Sequence, residues 1–229
     1  MFSASDLRVA YGMSEVIHGV SFDVGENETV AIMGRNGMGK STLFRSLIGV
    51  LPLRSGDIQI GEKKLSDLKS FQRVASGLAY VPQGRMIFPT LTVQENIESG
   101  LEVTGKKKVP EDIYALFPVL WDMRARKGGN LSGGQQQQLA IARALASDPK
   151  VLLLDEPTEG IQPSIIKQLA KTLNEIKKLR KLSIVVSEQV LSFALEVADR
   201  MLVIDKGQFV HEAKRGEYDT QKISRFLSV

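Results

Sequence analysis

The sequence has no cysteine, which removes disulfides and thiolate metal ligands and suits a chain working in a reducing compartment. Histidine is nearly as scarce: His18 and His211 fall at no metal-ligating spacing and read as ordinary strand residues. No apolar run has the length of a bilayer-spanning helix, and Val151-Leu152-Leu153-Leu154 has the length of a buried strand. The opening residues, Met1-Phe2-Ser3-Ala4-Ser5-Asp6, carry neither a basic nor an apolar segment, so no secretory leader is expected. Charge of one sign is lacking too, with a formal net charge of only +4. The single lysine run, Lys106-Lys107-Lys108, has no interleaved aromatics, reads as a solvated loop and points to no nucleic-acid partner. Internal repeats and interdomain linkers are absent. What remains is 229 residues of ordinary globular composition, enough for one sizeable core and a small sub-lobe.

One stretch organises that chain. Gly34-Arg35-Asn36-Gly37-Met38-Gly39-Lys40-Ser41-Thr42 fits G-x-x-x-x-G-K-S/T, follows a strand-like run at 28–33 and precedes a helical pattern at 43–48. Glycines free the backbone so that successive N–H groups converge on phosphate oxygens, and the helix start adds a favourable dipole. Lys40 is the expected cation for the β- and γ-phosphates, and the Ser41 hydroxyl the expected Mg²⁺ ligand.

Around this motif, residues 5–11 and 17–24 read as an antiparallel pair broken by Gly12-Met13-Ser14-Glu15. Tyr11, at the end of the first strand, offers either edge packing or a π-face for adenine. Short strands follow at 56–61 and 78–82, the second leading to Gln83. Residues 84–130 then lose strand character. Thr92 caps a helix expected to run to Val103, with Glu95 at the capping-box position, and a second helical patch spans 111–126 around Trp121. The expected organisation is a single domain over 1–229, with 1–83 and 131–229 as the core lobe and 84–130 as an inserted helical sub-lobe. Beyond the insert, Ser132-Gly133-Gly134-Gln135 opens a helix over 136–146, a second anion-binding helix start. Alternating units continue with a strand at 151–154, a helix from Pro163 to about Leu179, a strand at 183–186, a helix at 191–197, strands at 201–204 and 208–211 and a short terminal helix. Repeated βα units predict a mostly parallel sheet wrapped by helices.

Asp155-Glu156 ends the most apolar strand, and two acids there are costly unless they act. Asp155 suits the Mg²⁺ shell of a phosphate-loop enzyme, and Glu156 suits orientation or deprotonation of a water. Gln83, at a strand end bordering the insert, reaches Mg²⁺ or that water and would couple the site to movement of the insert.

Together these motifs resemble the ATP-binding-cassette family over nearly the whole chain. Leu131-Ser132-Gly133-Gly134-Gln135 matches the family signature, and order and spacing agree: Tyr11, the loop at 34–42, Gln83, the signature, then 151–155 with Glu156. The resemblance implies an α/β P-loop fold with a mostly parallel sheet, an antiparallel N-terminal β subdomain and the inserted helical subdomain. It implies ATP and Mg²⁺ as ligands, hydrolysis as the reaction, and a second cassette, identical or homologous, sandwiching ATP. Ser132 and Gly134 would then touch the γ-phosphate held by Lys40 of the paired chain.

Within the family the sequence is most similar to ATPase subunits of bacterial importers for branched-chain amino acids, amides and urea. Gly34-Arg35-Asn36-Gly37-Met38-Gly39, Val81-Pro82-Gln83-Gly84-Arg85, Gln135-Gln136-Gln137-Gln138 and 157–164 look most like the urea branch. That implies permease subunits docked near 84–130, with Ile87, Phe88 and Pro89 at the contact. It also implies an indirect periplasmic binding-protein partner and a place on the inner face of the cell membrane. An exporter cassette or a soluble non-transport ATPase is the alternative. Two departures stand out: Gln189 where most cassettes have a phosphate-sensing histidine, and Gln162 where the loop after Glu156 usually holds an aspartate. Both lead to the expectation that the chain alone hydrolyses ATP slowly and dimerises weakly.

Overall fold

The computed structural model describes residues 1–227. In chain order, β1 (Phe2–Tyr11), β2 (Ser14–Val24), β3 (Thr29–Met33) and α1 (Lys40–Ile48) lead to β4 (Ser55–Ile60), β5 (Lys63–Lys64), α2 (Ser70–Ala75) and β6 (Leu78–Val81). The helical stretch holds α3 (Val93–Glu98), α4 (Glu111–Leu116) and α5 (Pro118–Asp122). After it come α6 (Gly133–Ala146), β7 (Val151–Asp155), α7 (Pro163–Arg180), β8 (Ser183–Glu188), α8 (Leu191–Val197), β9 (Arg200–Asp205), β10 (Gln208–Lys214) and α9 (Thr220–Leu227).

Two sheets form. The first runs β2-β1-β4-β5 and is antiparallel throughout; the second runs β10-β9-β3-β8-β7-β6 and is parallel except for β10. The parallel strands are buried on both faces, so they read as apolar runs whose alternate residues feed two cores. Ala31, Met33, Leu152 and Leu154 point into a core shared with α6, α7, α8 and the helical stretch. Val30, Ile32, Val151 and Leu153 point into a second core with α1 and the antiparallel sheet. A one-residue slip of any of these strands would exchange the two sets.

Several boundaries differ from the sequence expectation, each for a local reason. The first two strands begin earlier and meet in a two-residue turn at Gly12-Met13. Helix α3 stops at Glu98 and tightens into a short 3₁₀ turn over Ser99–Leu101, where a Cβ on Gly100 would run into the Arg143 carbonyl of α6. The patch at 111–126 is two helices, because Pro118 starts a new one and forces Phe117 out of helical geometry (φ −131°, ψ 69°). Thr92 does cap α3, with Glu95 closing the reciprocal bond. Helix α2 and the two-residue β5 had no clear periodic signal. The Arg180 guanidinium grips Asp112 with bonds of 2.7 and 2.9 Å, tying the end of α7 to α4.

Candidate functional site

The carboxyl ends of β3, β8, β7 and β6 lie side by side, and each delivers part of one polar cluster. Leaving β3, the Gly34 N–H donates to the Glu188 carbonyl of β8 at 3.2 Å. The loop then turns with left-handed φ at Gly37 (81°) and Gly39 (105°), and Gly39 becomes the N-cap of α1. This places Lys40 at the first turn with its side chain folded back: Nζ donates to the Gly34 carbonyl at 2.6 Å and the Arg35 carbonyl at 3.0 Å. The loop is braced from outside by the turn between β9 and β10. The Gly207 N–H donates to the Met38 carbonyl and its carbonyl accepts from the His18 N–H, both at 3.0 Å.

The acids of β7 take separate sets of partners. Asp155 Oδ1 accepts from the Ser187 hydroxyl at 2.6 Å and the Ser41 hydroxyl at 3.2 Å, and Oδ2 accepts from the Tyr80 hydroxyl at 3.2 Å. Burial pushes the Asp155 carboxyl above its ordinary range, against the pull of these hydroxyls; burial likewise raises the Tyr80 phenol. Glu156 breaks the strand with φ +46°, an unusual setting for a glutamate, and its N–H donates to Ser187. Its Oε1 lies 2.9 Å from Lys40 Nζ, in an ion pair whose members are 3% and 8% exposed. Gln83 donates to Oε2 at 3.2 Å, and Gln189 donates to Oε1 at 3.5 Å and, more closely, to Asn36 Oδ1 at 2.7 Å.

A cavity of about 300 Å³ opens here, lined by Val16, Asn36, Gly37, Gly39, Lys40, Ser41, Thr42, Gln83 and Glu156. The structure thus brings most of the loop together with Gln83 and Glu156 around one space, with Asp155 and Gln189 hydrogen-bonded to its walls. Gly34, Arg35 and Met38 belong to the same loop but do not line the cavity. Tyr11 does not line it either; it stands 48% exposed at the end of β1. Ser132, Gly133, Gly134 and Gln135 form the capped start of α6 and do not line the cavity, with Ser132 exposed and accepting from the Gln135 N–H. Gln162 is exposed at the N-cap of α7. The loop after Gln83 is held by arginines: Arg85 donates to the Glu159 carbonyl at 2.8 Å, and Arg143 donates to the Met86 carbonyl at 2.8 Å while lying 5.0 Å over the Phe88 ring.

Four contributors escaped sequence reasoning: Val16, Tyr80, Ser187 and Glu188. A usable signal existed for two of them, since Ser187-Glu188 ends an apolar strand just as Asp155-Glu156 does. Tyr80 gave none beyond being a tyrosine inside a buried strand.

Known proteins resemble the chain in family and in fold. A family model described as ABC transporter matches residues 17–159. The chain is 38% identical over 213 residues to the high-affinity branched-chain amino acid transport ATP-binding protein BraG of Pseudomonas aeruginosa, covering 92% of this chain and 91% of that protein. It is 32% identical to the probable branched-chain amino acid transport ATP-binding protein LivF of Archaeoglobus fulgidus (95% and 93% covered). It is also 31% identical to the lipopolysaccharide export system ATP-binding protein LptB of Haemophilus influenzae (92% and 89% covered). Among solved structures, an ATP-binding cassette of an ABC transporter in its ADP conformation superposes with a TM-score of 0.83 at 25% identity, covering 99% of this chain and 97% of that one. A dimeric cassette in a post-hydrolysis state with ADP and Pi gives 0.84 at 24% identity, covering 95% and 100%.

Proposed function

The chain belongs to the ABC transporter family of ATP-binding proteins, and from that premise we propose that it is the ATPase subunit of a membrane importer for branched-chain amino acids, amides or urea. The observation that carries the reading is the convergence of Lys40, Ser41, Gln83, Asp155, Glu156 and Gln189 at adjacent strand ends beside the phosphate-loop cavity. Lys40 and the loop N–H groups hold the ATP phosphates. Phosphate oxygens compete with Glu156 for Lys40, and their arrival frees the carboxylate to orient or deprotonate the attacking water. Gln83 and Gln189, both already donating to Glu156, fix its direction, and Asn36 in turn fixes Gln189. The Ser41 hydroxyl and the Asp155 carboxylate are hard oxygen donors 3.2 Å apart, a pair suited to Mg²⁺. When bound, Mg²⁺ neutralises charge on the β- and γ-phosphates.

Tyr11 is assigned the face of the adenine. Ser132, Gly133, Gly134 and Gln135, which do not line the cavity of their own chain, serve the site of a second cassette through the capped start of α6. That second subunit is identical or homologous, and the related dimeric cassette makes the pairing a natural one. Permease subunits dock near 84–130, a periplasmic binding protein acts through them, and the chain works on the inner face of the cell membrane. Among the described residues no helix is long and apolar enough to cross a bilayer itself. Export is the competing reading, because the lipopolysaccharide-export relative is of comparable similarity. The deciding experiment is uptake by the complex reconstituted in vesicles, assayed against branched-chain amino acids, short amides and urea. ATP-dependent uptake of one class, abolished by Lys40→Ala, is the expected result; ATP hydrolysis stimulated by none of them would overturn the importer assignment.

A further inference from the structure

Glu188 is a buried acid that the reaction outlined above leaves unused. It ends β8, is 2% exposed, and among the described residues has no cation within ion-pair distance. Its carboxylate is met instead by three backbone donors and by the Thr158 hydroxyl. Oε1 accepts from the Thr158 N–H at 3.1 Å; Oε2 accepts from the Gln189 N–H at 3.0 Å and the Val190 N–H at 3.1 Å. Thr158 stands two residues after Glu156, on the segment that turns from β7 towards α7. Gln189 and Val190 stand on the segment that turns from β8 into α8. One side chain therefore staples together the two loops that present Glu156 and Gln189 to the cavity.

A carboxylate suits this task. It has two oxygens and no donors, so it can serve N–H groups on both loops at once, whereas an amide turns an NH₂ towards one of them. The cost of burying the charge is visible: burial pushes the Glu188 carboxyl upward, with hydrogen bonds from Thr158, Val190 and Gln189 pulling it back. The residue's backbone has a separate duty, since its carbonyl accepts from the Gly34 N–H at the mouth of the phosphate loop. Changing the side chain leaves that bond in place.

We propose that Glu188 is a positioning residue for hydrolysis, a carboxylate clasp that holds the Glu156 loop and the Gln189 loop in one arrangement. The inference rests on the roles given above to Glu156 and Gln189. Because the phosphate loop is not part of the clasp, its loss acts on turnover and spares nucleotide affinity.

The test uses the full chain, measuring steady-state ATPase kinetics, binding of a fluorescent ATP analogue and residue-resolved amide hydrogen exchange. Glu188→Ala is expected to lower kcat roughly tenfold or more while KM and analogue affinity stay within about twofold. Glu188→Gln, which keeps one acceptor oxygen, recovers part of that loss. Parental kcat in both variants overturns the proposal, and so does a loss of affinity equal to the loss of kcat, which marks a merely structural anchor. Should the variants fail to fold, hydrogen exchange in the parental chain decides. The Thr158, Gln189 and Val190 amides are expected to be protected and to open together, and fast exchange at Thr158 overturns the clasp. If Glu156→Gln turned over ATP at the parental rate while these amides stayed protected, the fault would lie in the role of Glu156 and the clasp would stand as a structural tie only.

Discussion

Replacing Gly207 by alanine separates backbone strain from disruption of the phosphate loop, because Gly216 supplies a matched control. Both glycines are left-handed, at φ 75° and 92°, so alanine at either costs about 1–2 kcal/mol in conformation. A Cβ on Gly216 meets nothing within 4 Å, and the conformational cost is the whole effect. A Cβ on Gly207 overlaps the Val16 carbonyl oxygen outright and lies 2.9 Å from His18 Cδ2. The β9–β10 turn must then retreat, losing its bonds to Met38 and His18, each worth about 1 kcal/mol. The sum is about 3–4 kcal/mol for Gly207→Ala against about 1–2 for Gly216→Ala. For a chain of this size each kcal/mol moves Tm by about 2–4 °C, which gives shifts of about 10 °C and about 4 °C. The two variants also part in function. Val16 lines the cavity and Met38 is part of the phosphate loop, so Gly207→Ala is expected to weaken ATP binding several-fold while Gly216→Ala leaves it unchanged. Thermal denaturation and titration with a fluorescent ATP analogue read both effects. Equal Tm shifts and equal affinities in the two variants would refute the bracing role of Gly207.

Three further outcomes are expected. Glu156→Gln should slow hydrolysis by orders of magnitude yet bind ATP at least as tightly as the parent, because Lys40 loses a competing carboxylate 2.9 Å away; weaker binding in an equilibrium titration contradicts that account. Gln189→His should leave ATPase activity similar or raise it by up to about fivefold, the worth of about 1 kcal/mol from a charge-assisted bond, and a variant crippled in steady-state turnover would show that the glutamine, fixed by Asn36, is the specialised residue. Phe88→Glu, at a side chain 47% exposed beneath the Arg143 guanidinium, should abolish coupled uptake in the reconstituted complex while basal ATPase persists; intact uptake in a properly assembled complex would remove Phe88 from the docking surface.

The parts of this fold written as local pattern could be read directly. The strand–loop–helix around Lys40, the capping box of Thr92 and Glu95 and the apolar run of β7 each announce themselves within a dozen residues. What lay beyond reach was lateral. Nothing in the order of residues says that β8 lies between β3 and β7, and only that placement brings the Ser187 hydroxyl onto Asp155 and the Glu188 carboxylate onto the Thr158 N–H. Tyr80 was hidden for the same reason, since its hydroxyl finds Asp155 through the pairing of β6 with β7. The break between α4 and α5 was legible at Pro118 but was covered by a continuous apolar periodicity. The departure at Gln189 was visible as a residue type, while its partner Asn36 lies 153 positions earlier.

The sheet order also governs when the site can exist during synthesis. Both neighbours of β3, namely β8 and β9, lie after residue 182, and β7 has only β6 to pair with until β8 is made. A nascent chain therefore carries its phosphate loop on a solitary strand, apolar but for Thr29, for most of its translation. Strand pairing cannot hold the loop beside the acids of β7 in that interval, because β8 is the strand that lies between β3 and β7. The last fifth of the polypeptide acts as a keystone: a ribosome stalled before it leaves the phosphate loop, Gln83, the signature and the β7 acids already made but the sheet that gathers them incomplete, with sticky strand edges for chaperones to cover.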